Sequence, residues 1–78
     1  MTNSQLKKIM ILAENIKIAR EHQRANDVCN KACQLLIDEL SPQLISLMKE
    51  FCEERDTNKF LSSRAIVILG KDNSLTIK

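Results

Sequence analysis

The stretch SQLKKIMILAENIKIAREHQRANDVCNKACQLLIDEL, residues 4–40, decides the fold. It contains neither Gly nor Pro and reads as helix throughout. Ile9, Leu12, Ala13, Ile16 and Ala19 recur at three-and-four spacing and make one apolar stripe. Ala25, Cys29, Ala32, Cys33, Leu36 and Leu40 make another. At about 100° per residue, the two stripes fall on roughly opposite sides of the cylinder. Ile11 and Ile18 extend the second stripe back into the N-terminal half, which is therefore apolar on two faces.

Upstream, Asn3 and Ser4 are equal candidates for the N-cap, since either side chain can accept from a first-turn N–H. Within the stretch, Asn26-Asp27 is the weak point, because both residues favour caps and turns over helix interiors. An unbroken helix over 4–40 is the reading preferred on the absence of Gly and Pro. The alternative is a break at 26–27, with Asp27 capping a second helix and both stripes turning into a single core.

Downstream, Ser41-Pro42 is the clearest punctuation: a Ser oxygen for the cap, then Pro at the first helical position. A second helix is expected over 42–55, with Leu44, Ile45, Leu47, Met48, Phe51 and Cys52 on its apolar face. Asp56-Thr57-Asn58 should end it, and Thr57 should cap a short turn holding Phe60 and Leu61. Ala65–Leu69 is a β-branched run, Gly70–Asn73 is turn chemistry, and Ser74–Ile77 alternates. Residues 64–78 thus read as a two-stranded β-hairpin, with Gly70 supplying a positive φ in the turn. The first strand is apolar on both faces, and an isolated hairpin is marginal in water, so it must pack on helix or join another sheet.

The expected fold is mainly α, of the α+β class: a long and a shorter helix as an antiparallel helical hairpin, closed by a C-terminal β-hairpin. The whole chain, 1–78, makes one small domain. With the helices turning at Ser41, Cys52 would come level with Asn30 and the β-hairpin would cover Ile9 to Ala19.

Composition narrows the function classes. The 28% of charged residues nearly balance to a net charge of +2, so bulk charge points to neither nucleic acid nor an acidic partner. No run approaches the roughly 20 apolar residues of a membrane span. Met1–Lys8 followed by the short apolar patch Ile9–Ala13 is no convincing secretory leader. Three cysteines without a disulfide spacing point to the reducing cytoplasm.

Three clusters carry potential chemistry. Cys29 and Cys33 share a helix face, Cys52 would face them, and His22 lies on the same stripe. A Cys3His zinc site has that residue set, but no short Cys-x2-Cys loop is present and His22 stands about 10 Å from Cys29 along the helix axis. Core filling is the preferred reading of the thiols, with no metal and no cofactor. The carboxylate pairs Asp38-Glu39 and Glu53-Glu54 point about 100° apart on a helix, so neither shares a site. Lys17, Arg20, Arg24 and Lys31 form a basic stripe suited to phosphates or to an acidic partner. Glu21 and Asp27 interrupt it, and there is no Tyr or Trp to stack on bases. The single Gly excludes phosphate loops that need several.

No family motif is legible, and no catalytic constellation is assembled. The leading expectation is a non-catalytic intracellular protein–protein interaction module: a regulator, adaptor or inhibitor, homodimeric, with a partner the residues do not name. Ile11, Ile18, His22 and Ala25 are the expected interface. The alternative, less favoured, is a nucleic-acid-binding regulator using Lys17, Arg20, Arg24 and Lys31.

Overall fold

A computed structural model describes residues 1–25 and 30–78. Two helices, α1 (Asn3–Ala25) and α2 (Asn30–Arg55), are followed by three strands, β1 (Lys59–Leu61), β2 (Ile66–Leu69) and β3 (Leu75–Ile77). The helices pack antiparallel. Gln23 near the end of α1 bonds Gln34 near the start of α2 at 2.8 Å, and the Met1 amino group at the other end pairs with Glu54. The antiparallel helical hairpin with C-terminal antiparallel strands is the architecture expected from sequence, but the sheet has three strands rather than the two of the expected hairpin, and the helix boundaries differ.

The expected helix over 4–40 is two elements, and the preferred reading of an unbroken rod is corrected: α1 ends at Ala25, and α2 runs from Asn30 straight through Ser41-Pro42 to Arg55. The alternative break at Asn26-Asp27 falls outside the described residues. Pro42 removes the N–H that would bond the Asp38 carbonyl, yet the helix continues. The reason is packing. Cys33, Ile37, Leu40, Leu44, Met48 and Phe51 keep one phase across the proline, and Ile37, Leu44, Met48 and Phe51 are buried. Ending the helix at Leu40 would throw that stripe out of register. Gln43 Nε2 donates to the Glu39 carbonyl (3.3 Å), one residue beyond the carbonyl that Pro42 leaves without its helical donor.

The N-cap is Thr2 rather than Asn3 or Ser4. Gln5 N–H donates to Thr2 Oγ1 (3.2 Å) and Thr2 N–H donates to Gln5 Oε1 (2.9 Å), the reciprocal pattern of a capping box. At the other end, Asp56 takes a left-handed conformation (φ 50°) and Thr57 N–H bonds the Cys52 carbonyl (3.2 Å), closing α2 with a Schellman motif.

The sheet order is β1-β2-β3, antiparallel throughout. Phe60 and Leu61, expected in a capped turn, form β1 and pair with Val67 and Ile66. The Ser62 hydroxyl accepts from Ala65 N–H (3.1 Å), which tightens the β1–β2 connection. In the β2–β3 turn, Asn73 carries the positive φ (64°) and Gly70 does not. Gly70 is needed for room instead, because a Cβ there would run into the Ser74 hydroxyl.

Pairing register sets Phe60, Val67 and Ile77 on one face of the sheet and Lys59, Ile68 and Thr76 on the other. The first face packs on the helices. Phe60 meets Phe51 of α2 edge-to-face, with ring centroids 5.3 Å apart. All five residues of the first stripe, Ile9, Leu12, Ala13, Ile16 and Ala19, are buried with Val67 and Ala65 in the same core. The second sheet face stays open: Leu61 is 71% exposed, beside Ile66.

Candidate functional site

α1 presents three surfaces. One packs on α2, one lies under the sheet, and one faces outward. Ile11 (52% exposed) and Ile18 (44% exposed) stand on the outward surface. Asn15, His22 and Ala25, also exposed, fall in line with them. The spacing from Ile11 to Ala25 is four, three, four, three, which is the seam spacing of paired helices. Of the second stripe, the described residues Ala25, Ala32 and Leu36 are exposed, while Cys33 and Leu40 are half-buried against the core.

The basic residues separate. Lys17, Arg20 and Arg24 share the α1 surface beside the end of β3, where they line a groove of about 240 Å³ with Glu21, Ile77 and Lys78. Lys31 belongs to α2 and does not line it. The stripe was one helix face in the sequence reading; α2 runs the other way, so the step from Arg24 to Lys31 does not continue it. Lys78 joins the groove from the far end of the sequence, through the packing of β3 on α1. No local signal announces that meeting.

Among the described residues, the ion pairs are Met1 with Glu54 and Arg64 with Glu14 (3.4 Å). Neither involves Lys17, Arg20, Arg24 or Lys78. The groove therefore sets Lys17, Arg20 and Arg24 of α1 beside Glu21, while Lys78 pairs with Ile66 and carries its side chain on the open face of the sheet.

No family model, curated protein or solved structure matches this chain.

The thiols do not gather. Cys33 and Cys52 both sit on α2, and 19 residues of helix place them about 28 Å apart along the axis. The expected approach of Cys52 to the level of Asn30 assumed a turn at Ser41 and falls with it. Cys29 lies outside the described residues. Burial pushes the Cys52 thiol up, which disfavours the reactive thiolate. Among the described residues no group of His, Cys, Asp and Glu is placed to hold a metal, and no helix is long and apolar enough to cross a membrane.

Proposed function

We propose that this chain is a non-catalytic interaction module that self-associates through the outward surface of α1. The observation that carries the reading is the pair Ile11 and Ile18, about half exposed on a helix whose opposite side is fully committed to the core. The occupant is a second copy because the seam is self-complementary. An antiparallel pair of α1 helices centred on Ile18 sets Ile18 against its own copy, Ile11 against the partner's Ala25, and Asn15 against the partner's His22. Such an isologous contact closes at two copies.

The magnitude makes this a weak dimer. Burying an Ile completely is worth about 1.5–3 kcal/mol, so four half-exposed Ile side chains supply about 3–6 kcal/mol. Association costs about 4–15 kcal/mol in lost freedom, so the flanking helix surface must contribute as well. A reducing, cytoplasmic location goes with this reading: Cys33 and Cys52 are too far apart to bridge each other. As an adaptor or inhibitor, the module would offer the same seam to another protein's helix. A nucleic-acid reading loses Lys31 from its surface and rests on the groove alone.

Sedimentation velocity over a concentration series tests the proposal. The wild type should shift toward a dimer as concentration rises. Ile18→Glu, which places two carboxylates at the seam's centre, should stay monomeric with an unchanged helical circular dichroism spectrum. A dimer that survives Ile18→Glu, or a wild type monomeric at millimolar concentration, would overturn it.

A further inference from the structure

We infer that the groove between α1 and the end of β3 is a recognition site for phosphate-bearing anions, separate from the self-association seam and independent of it. Three features of the groove converge. The first is charge. Lys17, Arg20 and Arg24 rise along one side of α1 at three-and-four spacing, and Ile77 and Lys78 at the end of β3 line the other side. None of these three has an ion-pair partner among the described residues, and Glu21 is the one acidic side chain that lines the groove with them. A concave surface walled by protein focuses such a field and raises the local concentration of anions.

The second feature is donor chemistry. Two guanidinium groups one helical turn apart offer planar forks that match phosphate oxygens in pairs, and Lys17 acts as a point charge beside them. From Lys17 to Arg24 the row covers about 10 Å of helix axis, enough to meet two or three consecutive phosphates.

The third feature is size and lining. At about 240 Å³ the groove is smaller than the roughly 300–1,000 Å³ of pockets that enclose drug-sized molecules. Its lining holds no aromatic ring: Phe51 and Phe60 are buried against each other elsewhere. The site therefore grips phosphate and leaves any organic body attached to it in solvent. A linear polyphosphate and the backbone of a nucleic acid both present that chemistry.

Titration of the full chain, followed by amide NMR, with two probes separates these sources. The probes are sodium tripolyphosphate and a mixed-sequence single-stranded oligonucleotide, each at two salt concentrations. Saturable shifts should centre on Lys17, Arg20, Glu21, Arg24, Ile77 and Lys78. Tighter binding of the oligonucleotide, with log affinity falling steeply against log salt, assigns the site to nucleic-acid backbones. Tighter binding of tripolyphosphate assigns it to free phosphorylated compounds. Arg20→Gln/Arg24→Gln should weaken either probe at least tenfold. Arg24→Gln alone, at an exposed position, should weaken it several-fold with the spectrum otherwise unchanged. Lys7→Gln/Lys8→Gln, on the same helix outside the groove, should leave binding as it was. Shifts spread evenly over Lys7, Lys8, Lys49 and Lys71, equal binding of a polyglutamate peptide, or no response at 10 mM tripolyphosphate would each overturn the assignment.

Discussion

Ile16 and Ile18 stand two residues apart on α1 and should respond very differently to truncation. Ile16 is fully buried between α2 and the sheet, whereas Ile18 is 44% exposed. Ile16→Ala removes three heavy atoms from a closed core and leaves a cavity, at a cost of about 2–5 kcal/mol. A 78-residue domain has about 4–12 kcal/mol of stability in total, so that loss is a large fraction of it. At about 4–8 °C per kcal/mol for a domain of this size, the midpoint should fall by at least about 8 °C. Ile18→Ala removes atoms already half in water and leaves no enclosed void, so it should cost under about 1 kcal/mol. Urea unfolding by far-UV circular dichroism, at protein concentrations low enough to keep the chain monomeric, measures both. The slope against denaturant should match across the variants, since the surface exposed on unfolding hardly changes. Equal costs, or a larger cost at Ile18, would refute the assignment of α1's buried face. A cost at Ile18 that grows with protein concentration would instead report the seam.

Two further outcomes follow from the fold. Pro42→Ala should raise stability by about 1–2 kcal/mol, because a helix-interior proline costs about 3 kcal/mol and Ala returns about 1 kcal/mol of unfolded-state entropy; a lowered thermal midpoint would show that the packing of α2 requires the proline. Asp72, held below the ordinary carboxylate range first by the Ser74 hydroxyl and then by the Ser74 N–H, should titrate lower by NMR in the folded chain than in a peptide of the same turn. A depressed folded value means that its contribution to the β2–β3 turn is present above the unfolded pKa and lost as pH falls through the folded one, and Asp72→Asn should abolish that acid dependence.

The apolar phase was legible before the boundaries were. Ile9, Leu12, Ala13, Ile16 and Ala19 are the buried face of α1, as their spacing indicated. The change of side after Ala19 was the informative signal. On one rigid rod it meant a helix with two apolar faces. In the structure it separates a helix facing one way from a second helix returning beside it, so each needs its own phase. Ser41-Pro42 misled because cap and proline chemistry is local, whereas continuity of a helix is set by the stripe it must bury. The phase from Cys33 to Phe51 runs through the proline without a step, and burial outweighed one missing bond. β1 was hidden by its length: Lys59-Phe60-Leu61 is too short to show a period of two. The Thr2–Gln5 box carries its usual sequence signature, but Asn3 and Ser4 are the better cappers taken singly.

The same helix geometry keeps the two proposed surfaces apart. Lys17 and Ile18 are adjacent in sequence and point about 100° apart on α1. The turn that brings Lys17, Arg20 and Arg24 beside β3 therefore carries Ile11 and Ile18 away from it. A chain this short has two structures with which to cover α1, a second helix and a small sheet, and these take the inward surface and one flank. Arg64 reaching Glu14 and Lys78 reaching the Lys17–Arg24 row mark where the sheet lies along the helix. What the sheet leaves uncovered is apolar on the outward side and cationic at its margin. An occupant of one need not displace an occupant of the other. Ile18→Glu should abolish self-association and leave tripolyphosphate or oligonucleotide binding intact, and Arg20→Gln/Arg24→Gln should weaken that binding at least tenfold and leave self-association intact. A single substitution that removed both would show that the groove is completed by the second copy, and that the two surfaces are one site.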